Sequence, residues 1–229
     1  MIAGYTAEQV RAAERPHLDA GEPLMQRAAA ALARVVADAA GRGRSGDEPS
    51  IVMLVGSGDN GGDALFAGAE LAAGGASVVL VPVGSRVHEA GLAAALAAGA
   101  VRMRPDDPDL GALLGAADVI VDGILGTGSG ASPALREPAR GVVELARERL
   151  AEPEPPRVVA TDLPSGIHPD TGEVPDPVVL PADVTVTFGA CKAGLLRAPA
   201  SGYAGDVLVV DIGIGDALAG VEPAVVLPG

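Results

Sequence analysis

Three short segments of the chain bring carboxylates, hydroxyls or amides together with glycine. The first is Gly56-Ser57-Gly58-Asp59-Asn60-Gly61-Gly62-Asp63. The second is Asp122 with the following run Gly126-Thr127-Gly128-Ser129-Gly130-Ala131-Ser132, and the third is Thr161-Asp162-Leu163-Pro164-Ser165-Gly166. Carboxyl groups move protons and accept hydrogen bonds from hydroxyls. Oxygen donors bind hard cations, and consecutive glycine-rich amides cradle anions. The first segment reads G-x-G-x-x-G after the apolar run Ile51–Val55, the context of a dinucleotide-binding turn. Its two carboxylates do not suit that role. Asp59 and Asp63 would repel a bare pyrophosphate, whereas a bound cation or a ribose hydroxyl would accept them. The plainer use of Asp63 is as the cap of a helix beginning at Ala64.

The dinucleotide reading also needs an acid about 20 residues on, to hold the adenine ribose. That region reads VVLVPVGSRV, with no Asp or Glu. Arg86 could meet a 2′-phosphate, which leaves NADP open. The second segment makes a better phosphate cradle. Its glycines form a nest of amides, and a helix expected over 133–150 adds its positive end. A surface Gly/Ser loop is the other reading, and a strand-terminal turn is the other use of Asp122. In the third segment Asp162 is suited to general acid or base work and Ser165 to donating an oxygen to a cation. All its residue types also form turns.

The surrounding pattern says what must position these segments. Two helices are expected over 6–41, the first capped by Thr6 and ending near Gly21, the second starting at Pro23. Beyond a polar Gly-rich loop, apolar runs alternate with helical stretches near 64–74, 88–98, 109–117 and 133–150. The runs at 51–55, 78–83 and 119–121 are apolar at consecutive positions, as strands buried on both faces are. The expectation is one domain over 1–229, with an α/β core over 50–229. Its fold class is a three-layer α/β/α, Rossmann-like sandwich around a mostly parallel sheet. Pro153, Pro155 and Pro156 mark a loop. Two further strands follow near 182–194 and 205–215. EPAVVLPG ends the chain with no element of its own, open to continuation. In such a sheet ligands bind beyond the carboxyl ends of the strands, where all three segments fall.

Composition narrows the partners. A net charge of −14 opposes nucleic-acid phosphates and anionic membranes. Aromatics at 2% leave no stacking platform, so the core is built from Val, Leu, Ile and Ala. No run is long enough to span a bilayer, and the N-terminus does not read as a signal peptide. Cys191, the only cysteine, excludes an intrachain disulfide and suits a cytoplasmic location. His17, His88 and His168 lack metal-ligand spacing and read as ordinary surface or core residues.

Five ordered motifs carry a resemblance. They are GSGDNGGDAL, DVIVDGILGTGSGASPALREPARGVVEL, VVATDLPSGIHPDTGEV, ADVTVTFGACKAGLL and GDVLVVDIGIG. With the amino-terminal YTAEQVRAAE and GEPLMQRAAAALA they cover nearly the whole chain, and resemble the NAD(P)H-hydrate epimerase family, or YjeF N-terminal domain. The resemblance implies an isomerase acting on NADHX and NADPHX, reduced nicotinamide nucleotides hydrated at C6, whose R and S epimers it interconverts for a separate ADP- or ATP-dependent dehydratase. It implies a bound potassium ion with Asn60, Asp122 and Ser165 as ligands, and a homodimer. It also implies substrate contacts from Asp59, Asn60, Gly61, Gly62 and Asp63, from Gly126 through Ser132, and from Asp162. The chain departs from the family pattern at Asp59, Ala64 and Leu125, where Asn, Gly and Phe are commoner.

The chemistry fits those residues. C6 inverts when its hydroxyl leaves and water returns on the other face. One carboxyl group cycling between its two states suffices, the role assigned to Asp162. Lys192 is a candidate for orienting substrate or polarising the leaving group, or else a solvated loop lysine. The competing readings are an NAD(P)-dependent oxidoreductase and a non-catalytic binding module of the same fold.

Overall fold

A computed structural model describes residues 1–43, 48–129 and 132–227. Strand β1 (Ile2–Tyr5) opens the chain, followed by helices α1 (Ala7–Asp19) and α2 (Leu24–Ala40). Then come β2 (Ser50–Val55), α3 (Asp59–Ala73), β3 (Ser77–Pro82), α4 (Glu89–Ala97), β4 (Val101–Arg102), α5 (Leu110–Ala116), β5 (Val119–Gly123), α6 (Ala139–Arg149) and β6 (Arg157–Thr161). The tail holds β7 (Val184–Phe188), β8 (Cys191–Lys192), β9 (Asp206–Val210), α7 (Gly215–Leu218) and β10 (Val225–Leu227). The main sheet has the order β4-β3-β2-β5-β6-β7-β9, and every neighbouring pair is parallel.

Alternation along β2 shows why its apolar run is unbroken. Ile51, Met53 and Val55 face a core shared with α1, α2, α3 and α4. Val52 and Leu54 face the opposite core, closed by Leu110 and Leu114 of α5 and Val142, Val143 and Ala146 of α6. Both faces are covered, as a parallel sheet requires. The three-layer α/β/α expectation is met, with a small second sheet, β10-β1-β8, at one end.

The order reverses beside β2. The chain runs outward through β3 and β4 on one side, then returns to β5 and β6 on the other. The crevice between the loops after β2 and β5 is therefore the topological switch point, the usual ligand position. The two loops nearly touch there. Gly56 N–H donates to the Gly123 carbonyl at 3.0 Å, and a Cβ on Gly56 would lie 1.8 Å from the Ile124 oxygen. Only glycine fits such an approach.

Thr6 caps α1 as expected. Its Oγ1 accepts from Gln9 N–H at 3.1 Å, while Gln9 Oε1 accepts from Thr6 N–H at 2.8 Å. Three expectations are corrected. EPAVVLPG does hold a strand: β10 runs antiparallel to β1, with Ile2 opposite Leu227. Each strand is only a few residues long and is defined by a partner at the far end of the chain, so local pattern shows neither. The helix expected over 133–150 starts only at Ala139, because Pro133 and Pro138 interrupt the preceding stretch. The helix expected from Ala64 starts at Asp59, so the first segment is helix from Asp59 onward and loop only over 56–58. Paired glycines disfavour a helix locally. Here close packing selects them, since a Cβ on Gly61 would lie 2.2 Å from the Gly56 oxygen.

Candidate active site

A cavity of about 720 Å³ opens over the carboxyl ends of the strands. It is lined by residues of all three segments, including Asp59, Asn60, Asp63, Gly126, Ser132 and Asp162, and by Lys192. Asp122 and Ser165 lie behind its lining residues Asn60 and Leu125, and the acids at this end of the sheet include two clusters.

The first is a hydrogen-bonded knot around Leu125. Asp122, in β5, is fully buried. Its carboxylate accepts from Ser165 Oγ at 2.6 Å, from Ser165 N–H at 2.8 Å and from Ile124 N–H at 3.2 Å. Ser165 Oγ accepts from Leu125 N–H at 2.8 Å, and Asn60 Nδ2 donates to the Leu125 carbonyl at 3.1 Å. Burial pushes the Asp122 carboxyl up, and the bonds from Ser165 and Ile124 oppose that. No basic side chain among the described residues pairs with it. A buried acid without a basic partner, beside the Ser165 hydroxyl and the Leu125 carbonyl, could hold a hard cation. The chain thus brings Asn60, Asp122 and Ser165 together from α3, β5 and the loop after β6.

The second cluster centres on Asp162, at the end of β6. Leu163 N–H donates to the Thr161 carbonyl at 2.8 Å, closing a three-residue turn over Asp162. Asp162 has φ +67°, the only positive φ on a non-glycine residue among those described. A tight turn on this side of φ is rare and strained, and such strain gathers at functional sites. Its Oδ1 lies 2.5 Å from Lys192 Nζ and accepts from Thr187 Oγ1 at 3.2 Å. Lys192 is only 2% exposed, and its Nζ also donates to the Phe188 carbonyl at 2.7 Å. This corrects the solvated-lysine alternative: Lys192 is a buried half of an ion pair. Its place comes from β8, which pairs Lys192 with Tyr5 of β1.

Asp63 is no helix cap. It sits inside α3, buried, its carboxyl making no hydrogen bond among the described residues. Burial first, then the carboxylates of Asp162, Asp59 and Glu14, hold its carboxyl well above the usual range. Asp59 lies in the first turn of α3, where the helix dipole favours a carboxylate. Gly61 and Gly62 follow in the same helix, their faces turned to the Gly56 backbone and to Met25.

The glycine-rich segment folds as a 3₁₀ turn over Thr127–Ser129, with Gly128 at its centre. Ser129 N–H turns to the Gly126 carbonyl at 3.1 Å and Ser132 N–H to the Ser129 carbonyl at 2.8 Å. Gly130 and Ala131 lie outside the described residues. The expected helix end does not follow directly. The α6 end still borders the cavity through Ala139, but Glu137 Oε2 accepts from Gly141 N–H at 3.2 Å. That carboxylate already occupies part of the positive end. Arg136, which donates to Ser132 Oγ at 3.1 Å, brings a cation to this rim.

Sequence reasoning missed the α1 wall. Val10, Arg11 and Glu14 all line the cavity. Burial raises the Glu14 carboxyl, against the pull of Lys192. The local signal was faint, an acid one helical turn after Arg11, and its meaning depends on β1 docking α1 beside Lys192. Arg86 is not a lining residue; its N–H donates to Ser57 Oγ at 3.2 Å. Burial pushes the Cys191 thiol up to about 11, which leaves it without nucleophilic thiolate at neutral pH. The three histidines serve the fold. His17 bonds Glu22, His88 caps α4, and His168 Nδ1 accepts from a turn. No helix among the described residues is long and apolar enough to cross a membrane.

Comparison with known proteins places the chain. It is 48% identical over 225 residues to an NAD(P)H-hydrate epimerase of Clavibacter michiganensis, covering 97% of this chain and 94% of that protein. It is 49% identical over 226 residues to a protein of the same name from Microbacterium testaceum, covering 98% and 84%. A bifunctional NAD(P)H-hydrate repair enzyme of Thermanaerovibrio acidaminovorans is 36% identical, and this chain spans 42% of it. The fold is shared with the crystal structure of yeast ynu0, at a TM-score of 0.73 and 20% identity, over 92% of this chain and 88% of that one. A family model described as YjeF-related protein N-terminus matches residues 21–194, and the chain belongs to that family.

Proposed function

We propose that the cavity binds NADHX and NADPHX and interconverts their R and S epimers at C6. The carrying observation is Asp162, a carboxylate held in a strained turn by a buried lysine, at the wall of the switch-point cavity. The relatives named NAD(P)H-hydrate epimerase support the same reading.

The lone pair of the ring nitrogen can expel the C6 hydroxyl once that hydroxyl receives a proton. Returning water must then surrender one. Asp162 is the proton-transfer group we assign, and Lys192 orients its carboxyl group through their contact. Gly126 to Ser132, with Arg136 beside them, are assigned to the pyrophosphate. Asp59 to Asp63 are assigned to polar groups of the nucleotide. Asn60, Asp122 and Ser165 are assigned to potassium, which when bound supplies fixed positive charge to the buried acid. A cytoplasmic homodimer acting with a dehydratase completes the reading, and the bifunctional relatives support that link.

A coupled assay tests it. A dehydratase that consumes one epimer leaves the other to isomerise slowly. Adding this chain should let the remaining epimer be consumed at an enzymatic rate, and exchanging potassium for tetramethylammonium should lower that rate. Unchanged consumption on adding the chain would exclude the epimerase reading. Turnover of undamaged NADPH as a hydride donor would favour the oxidoreductase instead.

A further inference from the structure

Epimerisation sets a geometric demand beyond a single carboxyl group. The hydroxyl leaves from one face of the ring, and water returns on the other. Asp162 has little freedom to serve both faces. Its backbone is fixed in a closed turn, and Oδ1 is held by Lys192 Nζ at 2.5 Å and Thr187 Oγ1 at 3.2 Å. Inverting glycosidases meet a similar demand with two carboxyl groups, one acid and one base, on opposite sides of the reacting carbon.

Three other acids line the cavity: Glu14, Asp59 and Asp63. Asp59 lies beside Asn60 in the first turn of α3. Asp63 is nine-tenths buried inside α3, which leaves its carboxyl little access to a ligand. Glu14 comes from a separate element, α1, and is half-buried. It has no hydrogen bond or ion pair among the described residues, which leaves its carboxyl free for a ligand. The charged groups that face it are Lys192 from β8, Asp162 at the end of β6, Asp59 and Asp63 from α3, and Arg11 on its own helix.

We propose that Glu14 is the second proton-transfer group of this cavity, working on the face of the ring that Asp162 does not reach. The proposal rests on the epimerase reading. In one direction the C6–O bond breaks as the nitrogen lone pair forms a C6=N bond. The electron pair of the broken bond leaves with the hydroxyl, which takes the Glu14 proton and departs as water. Water then adds to the opposite face, the π pair returns to nitrogen, and the proton lost by that water goes to Asp162. The other direction runs the same steps with the two carboxyl groups exchanged. The proton gained by one group and lost by the other re-equilibrates with solvent after product leaves.

The test compares wild type with Glu14→Gln and Glu14→Asp, with epimer interconversion followed in both directions. Glu14→Gln should lower kcat about 10²-fold or more in each direction, with KM nearly unchanged. Glu14→Asp should recover part of that loss. Activity needs one proton on the pair, so wild type should give a bell-shaped pH profile in both directions. Glu14→Gln should lose one limb of it, which a merely structural role would not remove. If Glu14→Gln unfolds, Glu14→Asp with a shifted limb carries the same meaning. Rates within threefold of wild type and an intact bell in both variants would overturn the proposal. A wild type no faster than spontaneous epimerisation would instead bring down the reading beneath it, and the proposal with it.

Discussion

The two ends of the main sheet treat acidic residues in opposite ways. At the amino ends of the strands, Asp118 accepts from Ser50 N–H at 2.7 Å and Ser50 Oγ at 2.9 Å, and Asp183 accepts from Val158 N–H at 2.7 Å. Each staples its strand to a neighbour, using donors that would otherwise be orphaned at the sheet edge. At the carboxyl ends, Asp162 is strained and ion-paired, Asp63 is buried without a hydrogen bond to its carboxyl, and Asp122 is buried without a basic partner. Acids at one end hold the sheet together through hydrogen bonds to strand donors. Those at the other are perturbed: burial raises Asp63 and Asp122, and Asp162 sits in a positive-φ turn, the kind of perturbation that gathers at functional sites. Asp118 and Asp122 are four positions apart on one strand run, yet they belong to opposite classes.

The largest test of this contrast is at Asp162. Asp162→Asn should lower epimerisation by about 10²–10⁴-fold. It should also leave Lys192 uncompensated at 2% exposure, which costs about 3–5 kcal/mol of stability in denaturant titrations. Adding Lys192→Met to Asp162→Asn should restore most of the stability and none of the activity. If activity returned with stability, Asp162 would belong with the staples.

At the other end the expected effect is smaller and of the reverse kind. Asp118→Asn keeps the size of the side chain but weakens what Ser50 N–H and Oγ donate to. Stability should fall by about 1–3 kcal/mol, read as a lower denaturant midpoint with an unchanged slope. Turnover of the folded fraction should match wild type. A loss of kcat at constant KM would break the division between the two ends.

Much of the carboxyl end was legible in the sequence, for physical reasons. Strands buried on both faces announce themselves as unbroken apolar runs, so the loops after Val55, Asp122 and Thr161 could be located. Small and polar residues are concentrated there, at the end where sheets of this kind bind ligands. Illegible were features that depend on contacts between distant parts of the chain. Strands β1 and β10 exist because Ile2 meets Leu227. Lys192 looks like any loop lysine until β1 pairs with it and Phe188 and Asp162 enclose it. Glu14 reaches the cavity only because that same small sheet docks α1. The glycines of DNGGD looked like a loop since glycine weakens helices in isolation, and tertiary crowding reversed the reading.

The most diagnostic effect should come from Asp63→Asn. In the folded protein the Asp63 carboxyl is held well above its ordinary value by burial and by neighbouring carboxylates. The unfolded chain ionises it at the ordinary value, so the unfolded state binds fewer protons between the two. Stability contributed by the protonated side chain is full below the ordinary carboxylate range and is lost as pH rises toward the folded value. Each pH unit of that interval is worth about 1.4 kcal/mol. For a chain of this size 1 kcal/mol moves the melting temperature by roughly 2–4 °C. Asp63→Asn cannot ionise, so its melting temperature should match wild type near pH 4 and exceed it increasingly toward neutrality. A constant difference at all pH values would mean that Asp63 ionises in the fold as it does in water. The charge crowding at the carboxyl end would then have to be carried by Glu14, which faces Asp162 and Asp59.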